Sequence, residues 1–161
     1  GKEASGTGNM KFMMNGAITI GTYDGANIEI LDAVGADNFF LFGLKADEVV
    51  EQRKRYSPSA IIDADKDFER VMGLIESGHF NMFEPGIFDP VIASIRSEHD
   101  AWMTAADFRP YIDAQMAADA AYSDQDKWTR MSIENVAASG RFSSDRTIRE
   151  YAQQIWGLGD R

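Results

Sequence analysis

What most constrains the fold is a change of periodicity near residue 45. Only two segments read as strands, and both lie before it. Ala17-Ile18-Thr19-Ile20-Gly21-Thr22-Tyr23 alternates, with Ile18 and Ile20 on one face. Asn38-Phe39-Phe40-Leu41-Phe42-Gly43 is an unbroken apolar run closed by glycine, the pattern of a strand buried on both faces in a parallel sheet. Between them, Asp24-Gly25 marks a turn. A hairpin is one reading. A strand-to-helix turn fits better, because residues 26–34 look helical and stop at Gly35. A short helix over Asn9 to Asn15, ended by Gly16 as a left-handed cap, precedes the first strand.

Beyond residue 45 every periodic segment reads as helix. Residues 46–55 form a charged helix with Val49 and Val50 inward, broken by Tyr56-Ser57-Pro58-Ser59. Phe68, Val71, Met72 and Ile75 stripe a helix from Asp67 to Glu76, ended by Gly78. Residues 80–88 are a loop, and Asp89-Pro90 opens a helix as cap and first-turn proline. Residues 97–106 fit no single pattern. Phe108, Ile112, Met116 and Ala120 mark a long helix to about Tyr122. Ser123-Asp124 starts another, with Trp128, Met131 and Val136 inward and an end at Gly140. Ser143 or Ser144 caps the last, where Ile148, Tyr151, Ala152 and Ile155 recur at helical spacing and Asp145 suits the helix dipole.

This order predicts an α/β chain: few parallel strands, then a mostly helical extension. We expect one partial domain over 1–161, with a loop, helices and strands over about 1–45 and mainly helices over about 46–161. Two strands make a small sheet, so further strands are expected before Gly1.

Composition narrows the function. The 161 residues are 44% hydrophobic and 26% charged, as in a globular domain with a core. A net charge of -10 argues against a nucleic-acid or anionic-membrane binder, both of which need a basic face. No cysteine is present, which removes disulfides, thiolate metal sites and a cysteine nucleophile, and is compatible with cytoplasm. No apolar run approaches the ~20 residues that span a bilayer.

Chemistry concentrates in Glu3-Ala4-Ser5-Gly6-Thr7-Gly8-Asn9-Met10-Lys11-Phe12. A glycine loop leading into a helix points the amides of Thr7 and Gly8 at one spot, and the helix dipole adds partial positive charge. An anion, most naturally a phosphate, would bind there. Lys11 falls in the first turn of the same helix, where neighbouring positive charge favours the neutral amine that forms a Schiff base. Glu3 could accept hydrogen bonds from a polyhydroxyl ligand. The set suggests a phosphate-bearing aldehyde cofactor beside a polar substrate. Spacing alone is weak, and a glycine turn with an exposed lysine has the same pattern. The stretch is not a P-loop, and Lys11 stands where a dinucleotide fingerprint has its third glycine.

These residues, with Asn15-Gly16-Ala17 and Gly21-Thr22-Tyr23-Asp24-Gly25-Ala26-Asn27, resemble the pyridoxal-phosphate site of the α-glucan phosphorylases (glycogen, starch and maltodextrin phosphorylases). The tail is similar to the same family: Trp128-Thr129-Arg130-Met131, Ser139-Gly140-Arg141-Phe142-Ser143-Ser144-Asp145-Arg146-Thr147-Ile148, and Ile155-Trp156-Gly157. The resemblance implies a Rossmann-like glycosyltransferase-B C-terminal domain. It implies that Lys11 carries pyridoxal 5'-phosphate, that the Thr7 and Gly8 amides hold its phosphate, and that Glu3, Ala4, Ser5 and Gly6 contact the glucosyl unit. The implied reaction is phosphorolysis of α-1,4-glucan by inorganic phosphate to glucose 1-phosphate. The family's N-terminal domain and its upstream basic residues are not in this sequence, so the chain alone is expected to be inactive. A non-catalytic carbohydrate-binding or interaction module, and a nucleotide-sugar glycosyltransferase, are the alternatives. Neither needs a lysine behind the loop.

Other candidates read as structural. His79 and His99 have no carboxylate pattern for a metal. Asp63, Asp65 and Asp67 alternate but lack the glycine and closing glutamate of a calcium loop. Met10, Met13 and Met14 suggest core filling. Arg141, Arg146 and Arg149 suggest a solvated helix face. An apolar strand in a short sheet predicts self-association into a homo-oligomer or swapped dimer.

Overall fold

The structure is a computed structural model and describes residues 6–158. The element order is α1 (Thr7–Met14), β1 (Ile20–Thr22), α2 (Ala26–Val34), a 3-10 turn (Ala36–Asn38) and β2 (Phe40–Phe42). Helices follow: α3 (Ala46–Arg53), α4 (Pro58–Ala64), α5 (Lys66–Glu76), α6 (Asp89–Arg96), α7 (Thr104–Ser123), α8 (Gln125–Ala138), a 3-10 turn (Ser139–Phe142), α9 (Ser144–Glu150) and a π turn (Tyr151–Ile155). Strands β1 and β2 pair in parallel, so the described chain is an α/β fold dominated by helices.

Two compact units emerge. The first holds residues 42–113. Its core gathers Tyr56, Ile62, Phe68, Met72, Met103 and Ala105. Phe68 and Phe108 stack there at 4.0 Å between centroids. Asp65 caps α5 by accepting from the Asp67 and Phe68 amides, and Arg109 grips it through two nitrogens at 2.7 and 2.6 Å while also reaching Asp67. Asp65 and Asp67 thus serve a helix start and an arginine clamp. Hydrogen bonding from Arg109 holds the Asp65 carboxyl down at about 2.

The turn entering α7 is the segment whose sequence was ambiguous. It closes over Asp100, which is buried and accepts from the amides of Trp102 and Thr104 at 2.9 and 2.7 Å. Burial works to raise this carboxyl, but the amides outweigh it and leave it below the usual range. Arg53 donates to the carbonyls of Asp100 and Ala101.

The second unit joins residues 6–41 to 114–158. Met13, Ile30, Val34 and Phe39 form its core, with Met10, Leu31, Ala138 and Phe142 packed around them. Helix α8 fastens it: Ser132 Oγ donates to the Gly16 carbonyl at 2.8 Å, and the fully buried Asn135 donates to the Asn38 carbonyl at 3.0 Å.

Several expectations are corrected. The strands are three residues each, and Leu41 is 42% exposed, so β2 is not buried on both faces. Val50 points to solvent while Val49 packs inward. The break before Ser59 opens α4, with Pro58 in its first turn and Ser57 as its cap. Helix α7 turns alanines 105, 114, 118 and 121 inward and leaves Met116 at 65% exposure. Gly140 does not end α8 sharply; a 3-10 turn carries the chain on to Phe142. Ser143 caps α9 as its type predicts, accepting from the Arg146 amide.

Candidate functional site

The loop and lysine lie in the second unit, on α1. The described part begins at Gly6, which caps α1 with φ 63, a left-handed conformation suited to glycine. The packing demands glycine as well, because a Cβ there would stand 2.5 Å from the Cβ of Ala26 at the start of α2. Gly6 is therefore buried, and the first turns of α1 and α2 meet at van der Waals contact.

Thr7 and Gly8 are the first two residues of α1, and both are exposed. Amides in a first turn have no intrahelical acceptor, and among the described residues no side chain caps α1. A Cβ built at Gly8 would meet no atom of the described residues within 4 Å. Packing among the described residues thus gives no reason for glycine there, although glycine costs a helix roughly 1 kcal/mol relative to alanine. Open space above such amides is the shape a phosphate oxygen would use.

Lys11 is the fifth residue of α1, so it lies one turn beyond the Thr7 amide rather than in the first turn as spacing suggested. The displacement takes it away from the first-turn charge that would favour a neutral amine. Residues three and four apart share a helix face, and helical side chains lean towards the N-terminus. Lys11 is i+4 from Thr7 and i+3 from Gly8, so it shares a helix face with both, and it is exposed. Its own carbonyl accepts from Asn15 Nδ2 at 2.8 Å, which closes the helix behind it. Among the described residues its ammonium has no carboxylate partner. Glu3, Ala4 and Ser5 lie outside the described residues.

Two residues that spacing did not mark as part of the site stabilise it. Asn9 Nδ2 donates to Asn27 Oδ1 at 2.9 Å, and Asn27 Nδ2 donates to the Thr22 carbonyl at 3.2 Å. Asn27 is buried at the head of α2. The signal that could have found it is Gly21, whose missing Cβ would lie 2.8 Å from the Asn27 amide nitrogen.

The remaining candidates stay outside this arrangement. His79 packs edge-on against Phe80. Arg146 pairs with Glu150 and donates to the Arg141 carbonyl. Of the methionines, Met13 is buried, Met10 is half-buried and Met14 is exposed. Among the described residues no cluster of acidic or histidine side chains is arranged for a metal, and no helix is long and apolar enough to cross a membrane. A mostly apolar cavity of about 380 Å³ belongs to the first unit, between Phe68, Ile75, Ile95, Trp102, Phe108 and Tyr111. Thr104 and Asp107 also line it, and neither Thr7, Gly8 nor Lys11 does.

The chain matches the family model described as carbohydrate phosphorylase over residues 1–158. It is 52% identical to the glycogen phosphorylase of Synechocystis sp. over 159 residues, which is 98% of this chain and 19% of that protein. It is 49% identical to the alpha-1,4 glucan phosphorylase L isozyme, chloroplastic/amyloplastic, of Vicia faba, covering 98% of this chain and 16% of that one. Identity to the muscle form of human glycogen phosphorylase is 44%, covering 98% and 19%. The chain therefore spans about a fifth of the length of the curated relatives it matches. With similarity running through nearly every residue, the chain belongs to the carbohydrate phosphorylase family.

Proposed function

We propose that the chain is the cofactor-holding part of a glucan phosphorylase. The parent would split α-1,4-glucan with inorganic phosphate to release glucose 1-phosphate, in a cytoplasmic setting, on a glycosyltransferase-B architecture. The observation that carries the reading is the single face of α1 shared by Thr7, Gly8 and Lys11, with none of the described residues packed over Gly8.

In this reading Lys11 anchors pyridoxal 5'-phosphate covalently, and the Thr7 and Gly8 amides hold its phosphate. The residues fit the group: the amides accept an anion without a neutralising side chain, and the lysine shares their helix face. When bound, the cofactor would supply an ionisable phosphate for proton exchange with inorganic phosphate. This chain's own residues bind and orient. The α1 dipole favours the charged phosphate. Gly6 lets α1 start in contact with α2, and Glu3, Ala4, Ser5 and Gly6 would meet the sugar hydroxyls. Lys11 is an anchor and not a base. The basic residues that balance two phosphates would come from the rest of the parent, and electrostatic positioning is most of phosphate chemistry, so the chain alone is inactive.

The test is chemical. Incubation with pyridoxal phosphate, borohydride reduction and peptide mapping should label Lys11 selectively over Lys45, Lys54, Lys66 and Lys127. Label spread evenly over the lysines would overturn the cofactor assignment.

A further inference from the structure

We propose that Asn27 is a positioning residue for the cofactor phosphate, holding the first turn of α1 through Asn9. The inference rests on the cofactor reading above. Helix α1 has eight residues and, among the described residues, no side-chain cap, and helices this short are marginal in water on their own. Its first turn is therefore placed by contacts from outside the helix. Two of these come from the head of α2. Ala26 sets the distance, because it sits where a Cβ on Gly6 would be. Asn27 sets the rotation, because its Oδ1 takes the Asn9 amide at 2.9 Å.

Asn27 cannot itself shift. Its Nδ2 is fixed on the Thr22 carbonyl, and the backbone of Gly21 lies so close that a Cβ there would approach this nitrogen to 2.8 Å. The side chain is buried, so breaking its bonds is not offset by water. Thr22 is in turn held at the end of β1, and its hydroxyl donates to Asp24. The strand end, the turn and the head of α2 thus form one support. Its output is the angle of the helix turn that bears Thr7 and Gly8. Neither asparagine touches the cofactor in this scheme. They act on where two amides point.

The experiment compares two aldehydes on the full chain. Borohydride trapping at Lys11 is measured against concentration for pyridoxal phosphate and for pyridoxal, which lacks the phosphate. The wild-type chain should trap the phosphorylated aldehyde at lower concentration. Asn27→Ala should raise the pyridoxal phosphate concentration for half-labelling about tenfold and leave that for pyridoxal unchanged, since the lysine stays while the amides lose their aim. If Asn27→Ala fails to fold by circular dichroism, Asn9→Ala removes the other half of the same bond and is measured in its place. Variants that keep the wild-type preference would overturn the positioning role while leaving the cofactor reading intact. Equal weakening of both aldehydes would also overturn it, as a general loss of α1. A wild-type chain with no preference between them would take down both.

Discussion

Among the described residues, a methyl group added at Gly8 would meet nothing within 4 Å, whereas one added at Gly6 would collide with Ala26 at 2.5 Å. Two glycines that look alike in the motif thus answer to different demands, and substitution should separate them. Gly8→Ala should raise folding stability by about 0.5–1 kcal/mol, because alanine is the better helix residue, while weakening pyridoxal phosphate trapping at Lys11. Thermal denaturation and peptide mapping of the same sample check both halves. Gly6→Ala should destabilise by about 1–3 kcal/mol, through its left-handed backbone and the clash together. At this scale spacing singles out both glycines but does not tell them apart. Spacing says that a backbone is special; only the neighbours say whether protein or ligand approaches it.

Asp65 makes a pH-dependent claim at the same scale. Its carboxyl sits at about 2 in the folded chain because Arg109 hydrogen-bonds to it. Unfolded, it would titrate near the ordinary ~3.9. A depressed value means the stabilisation is fully present above the unfolded value and is lost as pH falls through the folded one. The melting temperature should therefore fall more steeply between about pH 4 and pH 2 in the wild type than in Asp65→Asn. Parallel melting curves for the two across that window would remove Asp65 from the acid response.

Among elements, two helix caps were legible, but Asp89 is the first residue of α6 behind Phe88 and not its cap, and helix faces were less legible still. Ser143 and Asp124 cap α9 and α8 because their side-chain oxygens accept from an amide three residues on, a local rule that needs no tertiary context. The inward face of α7 obeys no local rule. Bulky Met116 marked one stripe by size, yet the chain buries Ala114, Ala118 and Ala121, where small residues allow close approach. Ala118→Leu should accordingly cost about 1–3 kcal/mol by overpacking, and Met116→Glu should stay within about 0.5 kcal/mol of wild type. Urea denaturation of both variants tests which residues of the second half of α7 face inward. The strands shrank for a related reason: an apolar run records hydrophobicity, and pairing decides how much of it becomes sheet.

For the whole molecule, charge and exposed apolar surface work against each other. A net charge of -10 at pH 7 keeps copies apart. Yet Phe83 is 97% exposed, flanked by exposed Phe80, Met82 and Ile87. Near the isoelectric point of about 4.6 the repulsion vanishes, and self-association should be strongest there. Static light scattering from pH 4 to 8 should show a maximum close to that value, reduced in Phe83→Asp. A flat profile would mean that this patch does not drive association. The family and the α/β class could be seen in the sequence; the grouping of residues 6–41 with 114–158 could not, since no local pattern records which distant segments pair.

That grouping has a consequence for synthesis. Ser132 grips Gly16 across 116 residues and Asn135 grips Asn38 across 97. At roughly 5–20 residues per second on the ribosome, the α1 loop waits on the order of 10 s for the helix that locks it. Residues 42–113, contiguous in sequence, have no such delay. Within residues 6–158, the segment that leaves the ribosome ahead of the others is thus among the last to be secured.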